Sequence, residues 1–168
     1  MHPALVPLEE PLAKVDGVFN AVQLEGDLTG QVLFQGRGAG SLPTTSAVVA
    51  DLLDLAHGLA TEGHARFLWR QDRQATIREV SELRSRYYLR LVVQDRAGVL
   101  ARITAVLGER HNISIASIIQ KEVDEDARTA ELVIMTHEAT EAAMQAALVE
   151  IAAVETVVEV GTFLRVLG

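Results

Sequence analysis

Two stretches of this chain carry residue types and spacings that could do chemistry. Asp95-Arg96-Ala97-Gly98-Val99-Leu100 places a carboxylate and a glycine just ahead of an apolar helical stripe. Gly98 lets the backbone turn sharply and bares N–H groups at a helix start. Such groups suit the carboxylate of a small ligand, and Asp95 can take an ammonium directly or through water. Asp95 can equally serve only to cap the helix. Gly36-Arg37-Gly38-Ala39-Gly40 lies between a strand and a helix, where backbone N–H groups can meet a phosphate or a ribose. It misses the dinucleotide pattern G-x-G-x-x-G, because Ser41 stands where the third glycine belongs. Taken alone, it reads better as a tight strand-to-helix turn. The five histidines show no metal-ligand spacing. His57 and His64 are seven apart with no third ligand near in sequence, so no metal site is expected. No G-x-S-x-G elbow is present.

The elements that must position these residues fall into two blocks. The first opens with Pro3, Pro7 and Pro11, which disfavour helix interiors and central strands. That stretch should be extended, at a sheet edge or in loops. Residues 18–24 and 31–35 read as a hairpin around the turn-rich Glu25–Gly30. From Thr44 to Ala60, Val48, Val49, Leu52, Leu53, Ala56 and Leu59 recur at helical spacing. Ser41 or Leu42 is the expected cap, and Pro43 suits the first turn. Two strands and one helix cannot bury their own apolar faces, so residues 1–60 read as the tail of a larger domain.

The second block is self-sufficient. Residues 87–94 alternate as a strand. Val99, Leu100, Ile103, Val106 and Leu107 form a helical stripe that ends near His111. Strands follow at 112–120 and 128–135, with an acidic, solvated turn at 124–126 between them. A helix over 140–152 and a strand over 156–166 complete the order β-α-β-β-α-β. That order folds as a four-stranded antiparallel sheet with two helices on one face. The strand from Asn112 to Gln120 falls at the sheet edge, where isoleucines on both faces and no central charge demand a cover. Asn112 also suits a left-handed residue closing the preceding helix.

Composition narrows the partners. The net charge of −8 argues against nucleic acid. Residues 1–60 and 87–168 each carry a net −5, whereas 61–86 carries six arginines and a net +2, the mark of a connector. With no cysteine, neither a disulfide framework nor a thiolate metal site is available, which fits a reducing cytoplasm. The apolar runs are too short to span a membrane, and Met1-His2-Pro3-Ala4 does not look like a signal peptide.

The motifs carry a resemblance. Glu10 to Val22, then Gly36-x-Gly-Ala-Gly-x-x-Pro-Thr-x-Ser-Ala-Val-Val-Ala-Asp51, resemble the C-terminal end of the catalytic region of homoserine dehydrogenase. Ser85 to Leu91 resembles the junction leading into that family's ACT domain, a small module that binds an amino acid and regulates the attached enzyme. The fold class implied is α+β: a ferredoxin-like βαββαβ ACT domain at 87–168, a linker at 61–86, and a partial α/β segment at 1–60. By resemblance, Gly40 approaches an NAD or NADP cofactor in the parent enzyme, which interconverts homoserine and aspartate semialdehyde. No cofactor is expected on this chain alone. The family's Rossmann motif and catalytic Lys and Asp have no counterpart, since Lys14 and Lys121 are the only lysines and stand in other contexts. No catalytic residue is therefore expected within the chain.

The same resemblance implies an effector site. ACT domains pair their edge strands, and ligands sit at that seam. Asp95, Ala97, Gly98 and Val99 of one copy would face Asn112 and Ile113 of the other. Ala97 departs from the proline usual in this loop. The implied effector is an end product of the pathway, threonine first, and the implied state is a homo-oligomer, a dimer through the ACT edge strand and the first block. Two alternatives stay open: a free-standing amino-acid-binding ACT regulator, or an ACT fold that serves assembly and binds nothing.

Overall fold

The computed structural model describes residues 2–60, 76–124 and 128–167, with the backbone alone for 122–124. Most of the expected connector, His64 and the centre of the acidic turn lie outside the described residues. The chain divides into two compact units, Leu8–Thr76 on one side and Met1–Pro7 with Ile77–Gly168 on the other.

The second of these holds the sheet. β1 is Ala4–Leu5. In the Leu8–Thr76 unit, β2 (Phe19–Gly26) and β3 (Gly30–Arg37) form an antiparallel hairpin, and α1 runs from Ser41 to Ala60. The sheet unit continues with β4 (Arg84–Gln94), α2 (Val99–Ala105) and a π-helical turn over Val106–Arg110. Then come β5 (Ile115–Asp124), β6 (Thr129–Thr136), β7 (Ala139–Thr140), α3 (Glu141–Ala152) and β8 (Val157–Val166). The sheet order is β1-β8-β4-β6-β5, with β7 pairing the start of β4. Its four long strands are antiparallel, and the βαββαβ order expected from the sequence is what folds.

Alternation explains the core. On β4, Tyr87, Leu89, Leu91 and Val93 are buried, while the residues between them are half-buried. Odd positions share one face of a strand, and that face is the one the helices cover. Ile103, Leu107, Met144, Ala147 and Ile151 supply the helical side of the same cluster. Tyr87 also stacks on Phe163, with ring centroids 5.3 Å apart.

Two features depart from the sequence reading. β1 joins the β8 edge in parallel, Leu5 opposite Val166, with the Leu167 N–H donating to the Leu5 carbonyl at 2.9 Å. The proline-flanked opening is thus extended at a sheet edge, as expected, but the sheet is that of the ACT block. The edge strand β5 begins at Ile115 rather than at Asn112. Asn112 is left-handed at φ 52°, and the Ile113 N–H donates back to the Leu107 carbonyl at 2.8 Å. These two residues close the helix, so the strand starts later.

Among the described residues of the Leu8–Thr76 unit, none is buried. None of the residues of α1 is buried, and Val48, Leu52 and Leu59 are exposed. Among the described residues, no helix is long and apolar enough to cross a membrane.

Candidate functional site

The turn from β4 into α2 is built by backbone constraints. The Asp95 N–H donates to the Arg128 carbonyl at 2.8 Å, and the Arg96 N–H to the Gln94 carbonyl at 2.9 Å. Gly98 is then the N-terminal cap of α2, left-handed at φ 89°. That region costs other residue types, which explains glycine here. A Cβ at Gly98 would meet nothing within 4 Å, so the backbone stands open to an approaching group. The helical run begun at Val99 continues to Arg110 through the π turn, and its first N–H groups have no intrahelical partners.

A cavity of about 220 Å³ lies against this turn. Asp95, Ala97, Gly98 and Val99 all line it, together with Arg96, Leu100, Gln120, Ala130 and Leu132. Four of the six effector residues expected from the sequence are therefore brought together. The cavity is floored by apolar groups from β6 and rimmed by polar ones from the turn and from Gln120 on β5. Sequence reading did not single out Arg96 or Gln120. Gln120 ends the isoleucine-rich run of the edge strand, and that break in polarity was its one signal.

Asp95 does not cap the helix. α2 has no side-chain cap, and no hydrogen bond to the Asp95 carboxylate is found among the described residues. Its charge is exposed at the cavity rim.

Asn112 and Ile113 lie away from this cavity. Asn112 is exposed at the end of the helical run. Ile113 is only 1% exposed and packs in the core, so its side chain is not offered to a neighbouring copy in this conformation. The turn they form is held by Glu150 of α3: Arg110 Nη1 and His111 Nε2 each lie 2.9 Å from one of its oxygens. These two contacts hold the Glu150 carboxyl below its ordinary pKa.

The glycine-rich turn before α1 also has a local logic. A Cβ at Gly38 would overlap the Asn20 side chain. Gly40 is left-handed at φ 122°, and its carbonyl accepts from the Thr44 N–H at 3.2 Å and from Thr44 Oγ1 at 2.9 Å. Gly40 is exposed one residue before a 20-residue helix. No group of His, Asp or Glu able to hold a metal occurs among the described residues.

Comparison with known proteins finds separate matches in the two parts of the chain. Residues 1–53 match the homoserine dehydrogenase family model, and residues 87–155 match the ACT domain model. A homoserine dehydrogenase from Neisseria gonorrhoeae is 41% identical over 98% of this chain and 39% of its own length. One from Pseudomonas aeruginosa is 36% identical over 94% of this chain and 37% of its own length. The crystal structure of a homoserine dehydrogenase from Thiobacillus denitrificans superposes with a TM-score of 0.81 at 37% identity, covering 99% of this chain and 38% of that one. The chain thus spans about two fifths of the length of the curated relatives it matches. Matched at residues 1–53 by the homoserine dehydrogenase model and at 87–155 by the ACT domain model, the chain is similar along nearly its whole length to part of homoserine dehydrogenases, and it carries an ACT domain.

Proposed function

We propose that this chain is the effector-sensing part of a homoserine dehydrogenase, and that its ACT domain binds a small amino acid, threonine first. The parent reaction would be the NAD- or NADP-dependent interconversion of homoserine and aspartate semialdehyde. The observation that carries the sensing role is the cavity at Gly98. An unpartnered carboxylate, Asp95, stands at its rim, and beside it is a helix start whose backbone is uncovered at Gly98, although the Val99 N–H donates to the Arg96 carbonyl at 3.4 Å. Those two ends complement an ammonium and a carboxylate. Val99, Ala130 and Leu132 give the cavity an apolar wall that suits a short side chain.

The seam between two copies completes the site in this reading. The exposed edge of β5 would pair with the same strand of a second copy, bringing the partner's Asn112 toward the Gly98 turn. Residues 1–60 form a piece of the catalytic region, 61–86 the linker and 87–168 the sensor. Gly40, bare of side chain at the start of α1, fits one edge of a nicotinamide cofactor. That cofactor would supply the hydride chemistry of the parent enzyme. Among the described residues nothing else offers it a nucleotide-binding cradle, and the sequence lacks the G-x-G-x-x-G motif, so the chain alone is expected to be inactive.

Thermal unfolding of the full chain with each of the twenty amino acids tests the sensing role. A ligand that binds only the folded form stabilises it by about 2.7 kcal/mol at roughly a hundred times its Kd. Threonine should raise the melting temperature by several degrees, and isoleucine, methionine or serine by less. If no amino acid raises it at millimolar concentration, the ACT fold here serves assembly alone. A separate assay of homoserine-dependent NAD or NADP reduction should show no turnover above background.

A further inference from the structure

We propose that the groove between Arg96 and Thr156 is a second small-molecule site, and that it takes an amino dicarboxylate. This groove, of about 190 Å³, is lined by Arg96, Ala97, Val99, Arg102, Glu155 and Thr156. It shares the Arg96–Val99 turn with the Gly98 cavity but draws its other walls from α2 and from the turn that enters β8. The Gly98 cavity draws its own from β5 and β6.

The groove holds a side chain without a partner. Thr156 is 7% exposed, and its Oγ1 is out of contact with solvent and has no hydrogen-bond partner. The Thr156 carbonyl is already used, accepting from the Gln94 N–H at 2.9 Å. Buried hydroxyls are nearly always paired, so an unpaired one lining a groove points to a ligand atom. A single water would satisfy the hydroxyl but leave two guanidiniums unanswered. Arg102 forms no ion pair or side-chain hydrogen bond among the described residues, and Arg96 reaches only Gln94 Oε1, at 3.4 Å. Glu155 has no cationic partner among them either.

Charge selects the ligand class. Two guanidiniums and one carboxylate give the lining a formal charge of +1. A molecule with two carboxylates and one ammonium answers each of these groups and brings the total to zero. Guanidinium forks match carboxylates in geometry as well as charge. A neutral zwitterion would leave one arginine unanswered. A plain dicarboxylate or a phosphate would set a second negative charge against Glu155 with nothing between them. The volume suits a metabolite of a few carbons, well below the roughly 300–1,000 Å³ of sites for larger ligands.

The test is a titration of the isotopically labelled full chain, followed by amide chemical shifts. The probes are L-aspartate, L-asparagine, succinate and inorganic phosphate. L-aspartate should give saturable shifts at Arg96, Ala97, Thr156 and Val157. Each other probe, lacking one charge or the right shape, should bind about tenfold more weakly or worse, as loss of a charge-assisted bond implies. Arg102→Gln, at an exposed position, and Thr156→Val, which removes no bond made within the protein, should each weaken L-aspartate about tenfold with the remaining spectrum unchanged. If Thr156→Val does not fold, Arg102→Gln decides. Absence of saturable shifts at tens of millimolar L-aspartate overturns the proposal. So does full affinity in Arg102→Gln, or phosphate binding as tightly as L-aspartate.

Discussion

Arg165 holds both oxygens of Glu141, with Nε 2.8 Å from Oε2 and Nη2 2.5 Å from Oε1. The Tyr87 hydroxyl donates to Oε2 at 2.9 Å, and Gln145 Nε2 donates to Oε1 at 2.8 Å. Glu141 is 4% exposed, at the first turn of α3, and the pair joins that helix to β8 and β4. Burial opposes the charge on this carboxylate, but the donors from Arg165, Gln145 and Tyr87 outweigh it, and its pKa is lowered. The Tyr87 phenol is pushed up, first by burial and then by donating to Glu141.

Glu141→Gln should therefore destabilise the ACT domain by about 3–5 kcal/mol, since it leaves Arg165 charged and largely buried without its counter-ion. The sign of the pH effect follows from the lowered pKa. The folded carboxyl binds its proton less readily than the unfolded one, so its stabilisation is present above the ordinary value of 4.5 and is lost as pH falls through the folded pKa. Urea unfolding at stepped pH should show a steeper acid loss in the parent chain than in the variant. Parallel curves would mean that Glu141 contributes nothing to acid sensitivity.

Gly98→Val should abolish the amino-acid-induced rise in melting temperature. A Cβ there meets open space, so steric overlap within the protein is not the cause. The cost is the left-handed backbone at φ 89°, about 1–2 kcal/mol, together with a side chain standing in the ligand's path. The circular dichroism spectrum should stay native while the thermal shift vanishes. A full shift in a folded variant would place the ligand elsewhere.

Self-association should depend on the β5 edge. Ile115 and Ile118 pack against the core, whereas Ile119 is 54% exposed, so Ile119 is the residue to change. Ile119→Lys puts a charge on the pairing edge, the device by which natural sheets discourage strand addition. Light scattering at micromolar concentration should show the parent as a dimer or larger and the variant shifted toward monomer. A parent that is already monomeric would count against a seam site.

Amide hydrogen exchange should divide the chain. α1 buries none of its residues, while β4 carries four fully or nearly fully buried side chains. Protection should be weak across 41–60 and strong across 87–94 and 130–134. Equal protection in both would mean that the first unit finds burial in the assembled protein.

The sequence made the ACT sheet legible because each strand hides one face. The alternation of Tyr87, Leu89, Leu91 and Val93 is a local signal, and so is the glycine before a helical stripe. The sharp turn at Gly98 was readable for the same reason. β1 was not, since two residues pairing in parallel with a strand some 160 positions later leave no local pattern. Ile113 misled because a residue at the mouth of an expected strand looks accessible until the Leu107 carbonyl is seen to claim its N–H. Thr156 gave no hint at all. An unpaired hydroxyl is a property of packing, and no spacing in the chain encodes it.

Leu5 and Arg86 flank Val166 on its two sides, one in parallel and one in antiparallel register. Neighbouring strands are about 4.8 Å apart, so the polypeptide leaves this sheet and re-enters it within about 10 Å. Excising the ACT domain from residue 77 onward would strip β1 away and bare the backbone edge of β8, turning a covered margin into an aggregation-prone one.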